Sequence, residues 1–89
     1  MPYKIFLTKS SQREIEHLPA NTHNSIIKHL KLIQANPRPF GAVKLQGRDE
    51  YKFRVGNYRI IYSIDDAKKE VVIYMVDRRK QVYKRLRRK

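Results

Sequence analysis

The chain is expected to form a small α+β domain, a helical hairpin packed on one face of a mostly antiparallel sheet in the order β-α-α-β-β-β-β, followed by a short basic C-terminal helix or tail. Three observations lead to this expectation. Apolar residues recur at helical spacing in the first third of the chain, through Ile26, Ile27, Leu30 and Ile33. The stretch Tyr51 to Ile64 alternates about a central Gly56-Asn57 pair, as two strands around a tight turn do. Val71 to Val76 is apolar at successive positions, which marks an interior strand.

Taken in order, Tyr3, Ile5 and Leu7 alternate with Lys4, Phe6 and Thr8 as an opening strand. Ser10 or Ser11 offers an N-cap, and Ser11-Gln12-Arg13-Glu14 matches a capping box, predicting a short helix to about Leu18. Pro19 restarts the chain, and a second amphipathic helix is predicted from Ala20 to Gln34, ending before Asn36-Pro37-Arg38-Pro39. Val43 and Leu45 suggest a short strand ending at Gly47. In the hairpin, Gly56 tolerates the positive φ of a type II′ turn, which sets Val55 opposite Tyr58, Arg54 opposite Arg59, Phe53 opposite Ile60 and Lys52 opposite Ile61. One face then carries Tyr51, Phe53, Val55, Tyr58, Ile60, Tyr62 and Ile64, and the other Lys52, Arg54 and Arg59. Asp65 to Lys69 reads as a polar turn, and the tail from Asp77 to Lys89 as a short helix carrying Val82, Tyr83 and Leu86. The helical hairpin covers the apolar face, so the cationic face of the sheet is expected to be free.

Eighty-nine residues suit one domain, expected over residues 1–89, with one modest core. The absence of Cys excludes disulfides, zinc-thiolate sites and Cys nucleophiles. No segment reads as a signal peptide or an apolar membrane span, so a cytoplasmic protein is expected. The formal charge of +13 points to a polyanionic partner, nucleic acid ahead of a membrane because no long amphipathic Trp/Phe-rich helix is visible. That charge is concentrated at the end, where Arg78 to Lys89 holds eight basic residues and no acidic one.

Candidate chemistry is sparse apart from these cations. His17, His23 and His29 are spaced by six residues, about 240° apart on a helix, so no two share a face as metal ligands. Glu14 and Glu16 fall on the first helix and Asp49, Glu50, Asp65, Asp66 and Glu70 at turns, with no paired-carboxylate site. Neither a metal nor another cofactor is expected. The paired Arg54 and Arg59 are unfavourable neighbours unless an anion lies between them, although cations on a solvated sheet face are the plainer alternative. A site made of cations and tyrosines can cleave RNA, because the ribose 2′-OH brings its own nucleophile. Tyr83 is the candidate proton acceptor. An ordinary Tyr is about three pKa units too weak an acid for this, roughly 4 kcal/mol, and Arg79, Lys84 and Lys52 would favour the phenolate.

The runs Lys44-Leu45-x-Gly47, Tyr51 to Tyr62 with its G-x-Y-R-x-x-Y motif, Val71 to Val76, and Asp77-Arg78-Arg79-Lys80-x-Val82-Tyr83 resemble the RelE branch of the RelE/ParE toxin superfamily. The similarity extends over nearly the whole chain. It implies a toxin with a cognate antitoxin partner that enters the ribosomal A site and cuts mRNA without metal, leaving a 2′,3′-cyclic phosphate or 3′-phosphate and a 5′-OH. It further implies that Lys52 and Arg54 contact and orient the RNA backbone, with Lys44, Arg78, Lys80 and Lys84 as further RNA-binding cations. By the same resemblance Arg59 stabilises the transition-state phosphate, Arg79 binds phosphate or donates a proton, and Tyr83 is the general base. Asp77 departs from the Gly usual in relatives, and Arg78 from a frequent His. The Val55 to Tyr62 motif is shared in part with ParE-type toxins that act on DNA gyrase, so a gyrase inhibitor is the alternative. A non-catalytic basic RNA-binding module is the other.

Overall fold

Gly56 turns the chain at φ +59° between β3 (Glu50–Val55) and β4 (Tyr58–Asp65), and the pairing is the one the turn predicts, Arg54 opposite Arg59 and Lys52 opposite Ile61. The computed structural model describes residues 2–87, in which β1 (Lys4–Leu7), α1 (Lys9–Glu16), α2 (Ala20–Ala35) and β2 (Ala42–Lys44) precede this hairpin. After it come β5 (Glu70–Arg78) and α3 (Arg79–Arg87). The sheet runs in the order β1-β5-β4-β3-β2. Every neighbouring pair is antiparallel except β1 and β5, which run parallel with Ile5 opposite Val71.

The principal core lies between the α1–α2 hairpin and one sheet face. Ile15 of α1 and Ile26 and Ile33 of α2 are buried with Phe53, Ile60 and Ile73 of the strands. Each such side chain contributes about 1.5 to 3 kcal/mol through removal from water. Tyr62 is fully buried in the same cluster and satisfies its hydroxyl by donating to the Pro37 carbonyl at 2.7 Å. This bond anchors the Pro-rich turn after α2 to the sheet.

Three expectations need correction. The first helix begins at Lys9, not after Ser10 or Ser11, because Thr8 is the N-cap and its side chain accepts from the Ser11 N–H at 3.1 Å. The Thr8 N–H is still tied to Ile73 of β5, so the chain leaves β1 and enters α1 with no intervening loop. Ser11 faces inward, donating to the Ile73 carbonyl at 2.8 Å, and α1 stops at Glu16, short of Leu18. The strand expected to reach Gly47 ends at Lys44, since the Leu45 N–H already closes a turn on the Glu50 carbonyl.

The third correction concerns the reverse face of the sheet, which is not free. α3 lies against β5 and β4 there, and Val82 and Ile61 are each 1% exposed. Ile61 alternates with the core-facing Ile60 and Tyr62, so it needs a cover of its own. Val82 is the buried residue of α3 that supplies it. Ionic contacts complete the docking. Arg85 of α3 donates Nη1 to Asp77 Oδ2 at 3.0 Å and to Glu14 Oε2, while Glu14 Oε1 accepts the Val76 N–H at 2.9 Å.

Candidate functional site

α3 starts where β5 ends, and its first N–H, from Arg79, donates to the Asn57 carbonyl in the hairpin turn at 3.0 Å. This contact brings the start of α3 beside the turn and encloses an open hollow of about 520 Å³. Its lining includes Arg54, Arg59, Arg78, Arg79 and Lys80 and no carboxylate. The positive end of the α3 dipole adds to the field of these five cations.

Arg59 is the least ordinary of them. It is 6% exposed, and its recorded hydrogen bond is from Nη1 to the adjacent Tyr58 carbonyl at 3.1 Å. Among the described residues no carboxylate lies within salt-bridge distance of it. Its register partner on β5 is Asp77, a candidate counter-ion, but that carboxylate accepts from Arg85. A cation largely removed from water is costly without a counter-charge, so the hollow suits an anionic group. A guanidinium can grip two oxygens of a phosphate at once.

A second cluster forms where Lys52 of β3 reaches across to α3. Lys52 Nζ donates to the Tyr83 hydroxyl at 3.3 Å and lies 5.5 Å from the ring centre. The Arg79 guanidinium, one helical turn before Tyr83, lies 5.9 Å from the same ring. The Lys52 hydrogen bond and charge, with a smaller effect from Arg79, hold the phenol below the ordinary Tyr value near 10. Both Lys52 and Tyr83 are half-buried.

The remaining candidates are distributed unevenly. Arg54, Arg78 and Lys80 line the hollow and are exposed. Lys84 is exposed on α3 and shares a face with Lys80, one turn earlier. Lys44 is not brought to this site. It pairs with Tyr51, whose register belongs to the helical-hairpin face, the reverse of the Lys52 face. It lines a separate shallow hollow with the residues up to Asp49. Of the histidines, His17 is exposed, and His29 packs its ring 5.3 Å from Phe53. Among the described residues no cluster of His, Asp and Glu is arranged to hold a metal ion. No helix of the described chain is long and apolar enough to cross a membrane.

Sequence reasoning missed the parts that join the two clusters. Glu14 and Arg85 meet although 71 residues separate them, and no periodicity or motif signals such a pair. Asn57 and Gln81 border the hollow without carrying charge.

Comparison with known proteins agrees with this architecture. The family model described as the ParE toxin of type II toxin-antitoxin system, parDE, matches residues 5–83. The toxin RelG of Mycobacterium tuberculosis is 29% identical over 87 residues, spanning 96% of this chain and 100% of RelG. The archaeal RelE-RelB complex from Pyrococcus horikoshii OT3 contains a chain 27% identical, with a TM-score of 0.79 over 89% of this chain and 97% of that one. The isolated E. coli RelE toxin is 25% identical, with a TM-score of 0.77 over 97% of this chain and 96% of that one. With its α+β architecture and a family match over most of its length, this chain belongs to the RelE/ParE superfamily of toxins of type II toxin-antitoxin systems.

Proposed function

We propose that the protein is a ribosome-dependent endoribonuclease toxin that cuts mRNA in the A site by metal-independent attack of the ribose 2′-OH. The observation that carries this reading is the contact of Tyr83 with Lys52 and Arg79, next to a hollow whose charged lining residues are all cations. In the proposed step the Tyr83 phenolate accepts the 2′-OH proton. The 2′ oxygen bonds to phosphorus, and the bond from phosphorus to the 5′ oxygen breaks as that oxygen takes up a proton from solvent water. The products are a 2′,3′-cyclic phosphate and a 5′-OH. The pentacoordinate phosphate carries an extra negative charge, which in this reading Arg59 stabilises together with Arg54, Arg78 and Lys80, all of which line the hollow. Lys52 holds the phenolate and Arg79 binds the phosphate beside it. The chemistry needs only proton transfer and charge stabilisation, both within the means of these side chains.

A cognate antitoxin is part of the proposal. The P. horikoshii relative is a complex of RelE with RelB. A protein of charge +13 suits an acidic or amphipathic segment laid over its basic face. In this reading the protein works in the cytoplasm, at the ribosome. The test is to map 5′ ends on an mRNA in a reconstituted translation system, with wild type, Arg59→Ala and Tyr83→Phe, with and without ribosomes. Cuts within A-site codons that need ribosomes are expected. Loss of Arg59 is expected to slow cleavage by about 100-fold, the usual scale for one transition-state donor. Undiminished cleavage by Arg59→Ala would falsify its role. The family match to ParE toxins favours gyrase inhibition as the second reading. It predicts blocked supercoiling and no mRNA cuts.

A further inference from the structure

Asp77 stands opposite Arg59 in the β4–β5 register, and an aspartate there is the natural counter-ion of a nearly buried arginine. The pair is not made. Asp77 turns its Oδ2 to Arg85 Nη1 at 3.0 Å, and Arg85 is held in turn by Glu14, whose other oxygen accepts the Val76 N–H at 2.9 Å. The three charged side chains are 23 to 31% exposed, so the network is shielded more than a surface ion pair. It links α1, β5 and α3, and Arg85 lies two residues beyond Tyr83 on α3.

We propose that Glu14, Arg85 and Asp77 form a positioning triad for the site: they seat α3 so that Tyr83 meets Lys52, and they keep Asp77 away from Arg59. Glu14 is the fixed point, because its carboxylate accepts the Val76 N–H and is thereby tied to β5. Arg85 is carried by α3, which is otherwise held by buried Val82, by the Arg79 N–H on the Asn57 carbonyl and by the Tyr83 contact with Lys52. None of the three touches the reacting atoms. The functional importance of this placement rests on the ribonuclease reading, whereas the placement itself can be measured without it.

The charges around the phenol make the test a matter of sign. Lys52 comes from β3 and Arg79 from α3 itself, and the strands beneath α3 contribute Asp77 and Arg59 on the same face. Glu14→Gln removes one negative charge. If Glu14 acted only through its field, the phenol would ionise more readily and its pKa would fall. If Glu14 seats the helix, Tyr83 loses its Lys52 contact and its pKa rises toward the ordinary Tyr value.

The measurement is a pH titration of the full chain labelled with ¹³C at the tyrosine ring carbon that bears the hydroxyl, with Tyr83 assigned through Tyr83→Phe. An upward shift in Glu14→Gln, partly restored toward wild type when Arg85→Lys is compared with Arg85→Gln, is expected. Arg87→Gln, which removes a cation from the same helix without breaking the triad, is expected to move it far less. A downward shift or none in Glu14→Gln would overturn the proposal. Should that variant fail to fold, Asp77→Asn asks the same question, since it too removes a negative charge. Cleavage on programmed ribosomes separates the two readings. An inactive wild type whose Tyr83 still responds to Glu14→Gln would refute the nuclease and leave the triad standing. In an active wild type, Glu14→Gln is expected to lower kcat about tenfold with little change in KM.

Discussion

Replacing Lys52 by Met keeps the aliphatic stem and removes the ammonium that touches the Tyr83 hydroxyl at 3.3 Å. A hydrogen bond to a charged group contributes about 1.5 to 3 kcal/mol. This one is long and half-exposed, so the lower end applies, about 1.5 kcal/mol after screening. That converts to roughly a tenfold loss of single-turnover cleavage at neutral pH. The pH dependence follows from the sign of the perturbation. Lys52 is the main influence holding the phenol below its ordinary value, so its loss returns the phenol toward about 10. Less phenolate is then present at pH 7, and the rise of rate with pH moves to higher pH. The variant should therefore recover much of its deficit by pH 9. The assay is cleavage of mRNA on programmed ribosomes from pH 6 to 9, with saturating toxin. A Lys52→Met enzyme with wild-type rates, or with a deficit equal at every pH, would refute the idea that Lys52 acts through Tyr83.

Three further predictions concern the frame that holds the site. Val82→Ala removes methyl groups from the contact between α3 and the sheet, where Val82 is 1% exposed, at a cost of about 1.5 to 2.5 kcal/mol. Hydrogen exchange should show this cost in the α3 amides before it reaches those of β4. Tyr62→Phe leaves the Pro37 carbonyl without its donor in a buried place, so urea unfolding should register a loss of about 1 to 2 kcal/mol with an unchanged m value. Asp66 is held down to about 2 by hydrogen bonds from Arg38 and Tyr3. Because its folded pKa lies below the ordinary value near 4, its contribution is full above that value and fades as pH falls to about 2. The difference in melting temperature between wild type and Asp66→Asn should shrink across that window, and a constant difference would contradict the ion pair.

The hairpin register was legible from residues alone because a two-residue turn with Gly at its first central position leaves one pairing for each residue that follows. Arg54 and Arg59 fall opposite each other as that rule requires. The second helix was legible from its periodicity and the first from its capping chemistry, although Ser11 misled. It has the chemistry of an N-cap, but the start of a helix is decided by where the preceding strand lets go, and Thr8 is held by β5. The third helix was legible as a segment but not in its place. Its single buried residue, Val82, finds Ile61 by sheet geometry that only the assembled fold supplies. For the same reason Lys44, in a run that resembles the family motif, lies on the other side of the sheet from Lys52. Distance along the chain hides the triad most completely, since Glu14 and Arg85 carry ordinary surface residue types.

The parallel pairing of β1 with β5 also has a consequence in time. β5 sits between β1 and β4, yet it is the last of the five strands to be made. Until residues 70–78 exist, β1 lacks its neighbour, Ser11 lacks the Ile73 carbonyl, and Glu14 lacks the Val76 N–H. Contacts of such long sequence separation cannot form early. A chain growing from its N-terminus therefore emerges as a helical hairpin and a strand pair with unfinished edges, and closes only when the C-terminal residues follow. Tyr83 and Arg85 belong to α3, which follows β5. Synthesis itself thus keeps the cationic surface unassembled until the residues after β5 have followed.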